Sequence, residues 1–503
     1  MRQLTGNQQV RYGAILSYLG IFAYILIGLL YTPWMINIIG QDDYGLYTLA
    51  YSIISLFVFD FGLSTAVQRF IAKYLAEGAQ YRVNACLSVV CKLYIYIDII
   101  VLLLLSIIYM LIPHLYTELT VEQIERLRGV YVIASIFSVL SFPFIPLNGV
   151  LSAYEKFVQL KACDFVSKVL TVFVNIICLS HGGGLYELVL TNVLVGLLIL
   201  IVKFIILKKV TSVKVSFEYS NRQEMNSLLS FSGWTTIVSL CQRTIFNIAP
   251  SILGMFASAS MIAVFGVSVS LEAYTFTFAS ALNGLFLPRV SRILNVNGDV
   301  LPLMVRVGRF QILTMGLILI GFSIVGYDFI LCWLGAGYVK AYIYTLLFII
   351  PAFLLLPADI ADQALVASGK VKYRAFVYII MAVINIILSY VMTMLWGGIG
   401  LAFSIFITYM VRNAIMYYIY QSKLNIDILS FFKDTFGKMS LGLLLSAVSA
   451  YFLCHLFAFD GWISLLVRIL IIILCYIVFM TLFALNEDEK GKIKRLIMKL
   501  DKR

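Results

Sequence analysis

Between residues 12 and 485 the chain is mostly apolar runs of bilayer length, joined by short polar connections. A bilayer core of ~30 Å is crossed by a helix of about 20 apolar residues. Read at that length, the runs number about fourteen: 12–34, 44–67, 84–111, 130–152, 162–180, 186–207, 230–254, 258–287, 309–334, 341–366, 374–396, 398–420, 437–457 and 462–485. An all-α polytopic membrane protein is the expected fold class. Composition agrees, with 62% hydrophobic and 12% charged residues, where a soluble chain is roughly half apolar and a quarter charged.

The start, MRQLTGNQQVRYG, leads directly into the first run, which is long enough to span and lacks a small-residue cleavage site. The eight cysteines all lie in apolar segments without C-x-x-C spacing, which argues against a disulfide framework or a zinc site. His114, His181 and His455 stand singly near span ends, so neither a metal nor a cofactor is expected.

An even number of spans puts both termini on one side. With the N-terminus inside, only Arg126, Arg128 and Lys340 of the 37 Lys and Arg lie outside, and Arg243 and Arg468 lie within spans. The rest line the inner side, a positive-inside pattern that makes both termini cytoplasmic. The net charge of +12 is spread over inner loops and tail and gives no nucleic-acid footprint. The longest connections, 113–129, 208–229 and 288–308, are too short for a folded soluble domain.

The two halves repeat. At one constant lag Pro143 meets Pro357, Leu151 meets Leu365, Ala153 meets Ala367, Lys156 meets Lys370, and Gly183–Gly184 meet Gly397–Gly398. Pro33 and Pro250 both lie near the end of a first span, at a slightly longer lag. Six spans separate the equivalents, which makes the repeats parallel. The organisation expected is an N-lobe over 1–207 (spans 1–6), a cytoplasmic linker over 208–229, and a C-lobe over 230–420 (spans 7–12). Two extra spans follow over 421–485, then a basic cytoplasmic tail over 486–503.

A charge deep in a span costs roughly 2.5–3.5 kcal/mol on insertion scales, so each one needs a reason. Asp98, Arg243 and Glu272 fall near the midplane; Lys92, Arg412 and Arg468 lie closer to a surface, where snorkelling is the simpler reading. In span 7, Ser232, Thr236, Ser239, Arg243 and Asn247 form one polar stripe; in span 8, Ser268, Glu272, Thr275 and Asn283 share a face. Two readings stay open: a buried Arg243–Glu272 pair locking a hairpin, or a hydrated cavity lined by both. Span 2 adds Asp60, Ser64 and Gln68 on one stripe and Thr65, Arg69 and Lys73 on the next. The candidate lining is thus Arg243, Glu272, Asn247, Ser239, Asn283, Asp60, Gln68 and Arg69. Glu272, Asp98 and Asp60 are candidate ion carriers, because an intramembrane carboxylate can take and release a cation.

Two stretches carry a resemblance. PWMINIIGQDDYGLYTLAYSIISLFVFDFGLSTAVQRFIAKY resembles the first two spans of bacterial polysaccharide-biosynthesis flippases, the O-antigen transporters among them, in the multidrug/oligosaccharidyl-lipid/polysaccharide exporter superfamily. LGMFASASMIAVFGVSVSLEAYTFTFASALNGLFLPRVSRI is similar to the start of their second half. The resemblance implies a V-shaped pair of six-helix lobes and a cavity lined by spans 1, 2, 7 and 8. It also implies translocation of undecaprenyl-pyrophosphate-linked oligosaccharide across the bacterial inner membrane by alternating access. The partners implied are that polyprenyl-linked glycan, membrane lipid and the polysaccharide polymerase machinery. Arg243 is the only basic residue near the midplane of those four spans, a sparser lining than the Arg-rich cavity of lipid II flippases.

Two other functions compete. A cation-coupled drug or small-molecule exporter of the same superfamily would use the carboxylates Asp60, Asp98 and Glu272. A membrane polysaccharide polymerase or glycosyltransferase would need a larger extramembrane loop and a catalytic motif, and neither is evident.

Overall fold

The computed structural model describes residues 6–58, 60, 63–213, 215, 222–280, 286–296, 298–456, 461–487 and 489–491. Its described elements are helices joined by short turns. The chain divides into two compact units, Met1–Gly266 with Ala375–Ser404, and Val267–Arg374 with Ile405–Arg503.

The first unit holds α1 (Gly6–Ile39), α2 (Gln41–Phe57), α3 (Leu63–Ala76), α4 (Gln80–Leu115), α5 (Val121–Ser141), α6 (Leu147–Ala153), α7 (Phe157–Ser180), α8 (Leu185–Val210), α9 (Arg222–Asn247) and α10 (Ala249–Gly254). It also takes the start of α11 (Ala259–Ser280). The second unit holds the rest of α11, α12 (Leu287–Asn295), α13 (Leu301–Leu334), α14 (Ala341–Leu355) and α15 (Asp359–Ala367). After α16 (Val371–Leu424), which serves both units in turn, come α17 (Ile428–Phe432), α18 (Lys438–Leu456) and α19 (Gly461–Phe483).

Eleven helical segments are long and apolar enough to cross a membrane. Their exposed faces stay apolar, as Ile99, Ile100 and Leu103 do on α4, which is the surface lipid covers. The difference from the fourteen runs has three local causes. The 54-residue α16 contains two runs that meet at Gly397, whose φ of 59° and ψ of −138° break the helix. The run 44–67 is interrupted: α2 ends at Phe57, α3 begins at Leu63, and α3 carries Gln68, Arg69 and Lys73. The run 230–254 is divided between the polar-striped α9 and the short α10, which has Pro250 in its first turn.

The repeat is visible in backbone detail. A 3-10 turn over Phe142–Phe144 leads into α6, and another over Leu356–Ala358 leads into α15. The chain then reverses the same way at both places. Lys156 N–H bonds Leu151 O at 2.9 Å, and Lys370 N–H bonds Leu365 O at 2.9 Å. The residue before each lysine is left-handed: Glu155 at φ 54° and Gly369 at φ 71°. Packing follows suit, since α3 lies on α6 in the first unit and α12 on α15 in the second.

The segment after α1 fixes the start of α2. Gly40 turns at φ 90°. Asp43 pairs with Arg126 at 2.8 Å, and Asp42 accepts from Gln123 Nε2 at 3.1 Å, which ties α2 to the first two turns of α5. Gly45 lets α2 approach the start of α11 closely, as a Cβ there would stand 2.0 Å from Ala259 O.

Two arginines read as snorkelling are packed instead. Arg412 is 5% exposed and donates to Asn413 Oδ1 at 3.1 Å, while Asn413 donates to Pro351 O at 3.1 Å. Arg468 pairs with Asp328 at 2.6 Å. Removing such a charge from lipid requires a partner, and both have one inside the second unit.

Candidate functional site

The interruption of the 44–67 run is built around Asp60. Its carboxylate lies between the end of α2 and the start of α3, where first-turn N–H groups lack helical acceptors. Asp60 Oδ1 accepts from Ser64 N–H at 3.1 Å and from Tyr94 Oη at 3.0 Å. Tyr94, on α4, is fully buried, and its ring packs on Phe142 at 5.2 Å. Ser64 Oγ donates to Ile145 O at 3.4 Å, and a Cβ on Gly149 would meet Ser64 O at 2.4 Å, so α6 closes tightly behind this turn. The polar stripe of span 2 therefore serves a break in a helix, where a carboxylate replaces missing backbone partners.

Helix α9 packs against α2, α3 and α4, and it brings Arg243 into the electrostatic reach of Asp60. Arg243 is half-buried, as are Ser239 and Asn247 on the same face. Asp60, Ser64, Tyr94, Ser239, Arg243 and Asn247 thus belong to one unit, with Arg243 within the electrostatic influence of Asp60. Gln68 is half-buried and Arg69 exposed on α3. Asp98 lies one turn beyond Tyr94 on α4, half-buried, and among the described residues its enclosed Oδ1 has no hydrogen-bond partner.

The span 8 candidates fall in the second unit. Glu272 is half-buried in α11, and within its unit no hydrogen-bond or ion-pair partner reaches it among the described residues. Ser268, expected on the same polar face, is fully buried and donates to Ala341 O at 3.4 Å, so its hydroxyl is used in packing. Asn283 lies outside the described residues.

Two polar groups escaped the sequence reading. In the first unit Tyr44, Tyr47 and Tyr51 line one face of α2; the Tyr47 and Tyr51 rings lie 4.5 Å apart. Asn192 Nδ2 donates to Tyr47 Oη at 3.4 Å, Asn175 Nδ2 donates to Asn192 Oδ1 at 2.9 Å, and Thr191 Oγ1 donates to Asn175. The signal was the three- and four-residue spacing of tyrosines, which had been counted as apolar. In the second unit Arg374 pairs with Asp362 at 3.2 Å, and Asp359 accepts from Gln363 at 2.6 Å. Asp362 is 8% exposed, and among the described residues its Oδ1 has no hydrogen-bond partner. Its signal was two carboxylates in DIADQ, just before a Lys- and Arg-containing turn.

These features define a multi-pass helical membrane protein with charged side chains held inside its spans. The family described as "Polysaccharide biosynthesis protein" matches residues 10–293, more than half of the chain, and the chain belongs to that family. Among solved structures it resembles the lipid II flippase MurJ in an inward closed conformation, with TM-score 0.68, 15% identity, and coverage of 95% of this chain and 98% of that one. It also resembles an inward-facing multidrug resistance MATE family transporter of the MOP superfamily, with TM-score 0.66, 13% identity, and coverage of 82% and 98%. A MOP superfamily transporter from Pyrococcus furiosus matches with TM-score 0.55 and 12% identity over 84% of this chain and 96% of that one. No curated protein matches the sequence. At these identities the likeness establishes the fold; those structural neighbours are themselves a flippase and transporters.

Proposed function

We propose that the protein is a flippase of the bacterial inner membrane that carries polyprenyl-pyrophosphate-linked oligosaccharide, of the O-antigen, capsule or exopolysaccharide kind. Transport runs from the cytoplasmic to the outer leaflet by alternating access between two six-span repeats, 1–207 and 230–420, and is driven by an ion gradient. Both termini face the cytoplasm, and the polysaccharide polymerase machinery receives the product. Membership of the polysaccharide biosynthesis family supports the glycan class.

One observation carries the reading: Arg243 sits half-buried on a polar helix face with Asp60 acting on its charge. Asp60 itself accepts from Ser64 N–H and Tyr94 Oη. When a pyrophosphate oxygen approaches Arg243, the guanidinium can turn to it and form charge-assisted, bidentate hydrogen bonds. Asp60 keeps its hydrogen bonds from Ser64 and Tyr94 throughout and is not left as a bare buried charge. An exchangeable counter-ion lets a site take a phosphate and release it again. Ser239, Asn247, Gln68 and Arg69 supply donors and acceptors for the head group, and the aromatic and amide groups around Tyr47 suit a polyhydroxylated ligand. Glu272 leads the candidate ion carriers, with Asp98 and Asp60, and Asn283 is a candidate lining residue on its sequence position alone.

The test is surface glycan display by a strain lacking the gene. Arg243→Ala should abolish display at normal membrane levels of the protein, and Arg243→Lys should keep part of it. Full display with Arg243→Ala removes Arg243 from the mechanism. A second reading, export of a cationic small molecule, is favoured by Glu272, a half-buried carboxylate with no partner in its own unit among the described residues. It requires that the protein extrude a fluorescent cation from vesicles in a Glu272-dependent way.

A further inference from the structure

Beside the first three turns of α13 the second unit encloses a cavity of about 450 Å³. Its walls are apolar, with Phe286, Val307, Phe310 and Leu485 among them, and Arg289 and Arg306 stand at the same cavity. Both arginines are exposed. Among the described residues neither has a hydrogen-bond or ion-pair partner, unlike Arg309 one turn further on. Arg309 is 2% exposed and holds Glu489 through Nε at 2.8 Å and Nη2 at 2.7 Å. Glu489 also borders the cavity, but it pairs with Arg309, so among the described residues the two cations at the mouth have no paired carboxylate.

Depth matters as much as charge. The cavity lies at the start of one membrane-crossing helix, α13, and just past the end of another, α19. That is the level at which lipid phosphates meet water. An arginine guanidinium binds phosphate oxygens bidentately, and basic pockets between membrane helices accept anionic head groups. The apolar walls continue from the cations along Val307 and Phe310, which is half exposed. A free phosphate would use the arginines and leave the walls empty. A zwitterionic lipid would bring its own cation to the arginines.

We propose that Arg289 and Arg306, with the apolar cavity between α12, α13 and Leu485, form a binding site for an anionic phospholipid. Its phosphodiester meets the two guanidinium groups and one acyl chain enters the cavity. The site is separate from Arg243 and does not depend on the transported substrate.

The full-length protein, purified in a zwitterionic detergent, is titrated with dioleoyl-phosphatidylglycerol, dioleoyl-phosphatidylcholine, dihexanoyl-phosphatidylglycerol and inorganic phosphate. Melting temperature and retained lipid, by native mass spectrometry, are read for each. The expected result is retention of the long-chain anionic lipid with a raised melting temperature, and little effect from the other three probes. Arg289→Gln with Arg306→Gln should weaken that lipid roughly tenfold, while Lys208→Gln with Lys209→Gln, two exposed lysines elsewhere, should not. Equal retention of phosphatidylcholine means annular lipid and overturns the proposal. Equal stabilisation by inorganic phosphate or the short-chain lipid means an anion site without a chain, and also overturns it. So does unchanged binding by the double arginine variant.

Discussion

Arg309 and Glu489, 180 residues apart, form a two-pronged ion pair in which Arg309 also donates to Asp434 O at 3.1 Å and to Ala484 O at 2.6 Å. The guanidinium joins the start of α13, the turn after α17 and the segment after α19. Arg309→Ala leaves a carboxylate and two carbonyls without their donor. Glu489 is 23% exposed and can recover some solvent, so the expected loss is about 2–3 kcal/mol rather than the full cost of an orphaned buried charge. Thermal unfolding in detergent should show it. Glu489→Gln, which keeps an acceptor but drops the charge, should lose less; no loss at all would mean the charge itself contributes nothing.

A Cβ at Gly45 would stand 2.0 Å from the backbone oxygen of Ala259, which cannot rotate away. Gly45→Ala should cost about 1–3 kcal/mol by forcing α2 from the start of α11. Gly20 has nothing within 4 Å of its Cβ position. Gly20→Ala should therefore be neutral or stabilising, and comparing the two melting temperatures separates packing from helix propensity.

Glu155 carries a φ of 54° where its repeat partner is Gly369 at 71°. A side chain in left-handed backbone costs about 1–2 kcal/mol, part of which glycine returns as unfolded-state entropy. Glu155→Gly should raise stability by about 0.5–1 kcal/mol, and Gly369→Ala should lower it by about as much. Opposite shifts in melting temperature are the expected result. Shifts of the same sign would mean that the two turns are not equivalent.

Much of this was legible before any coordinates. Apolar run lengths gave the helical membrane class, and the lag between Lys156 and Lys370 marked a repeat that recurs in hydrogen bonds. The stripe on α9 placed Ser239, Arg243 and Asn247 together because helical period alone decides a face. The break at Asp60 was not legible as a break. Hydropathy sums treat one carboxylate among Phe and Leu as a cost, and do not register that it can replace missing backbone acceptors. Arg412 and Arg468 were misread because a sequence shows depth without showing Asn413's tie to Pro351 or the position of Asp328. The Arg309–Glu489 pair was hidden by separation along the chain, and the tyrosine face of α2 by counting phenols as apolar.

Reporter fusions test the topology. A reporter active only outside the cytoplasm, placed after residue 503, should be silent if the positive-inside reading is right. Strong activity there would contradict an even number of spans with an internal N-terminus.

The central claim is that Arg243, countered by Asp60, holds the pyrophosphate during transfer. The direct measurement is movement of a lipid-linked oligosaccharide across proteoliposomes containing the purified protein, with and without an imposed proton or sodium gradient. Transfer should fall roughly tenfold or more in Arg243→Ala, with unchanged melting temperature, and should respond to the gradient in the wild type but less in Glu272→Gln. Wild-type transfer rates from folded Arg243→Ala would contradict the account.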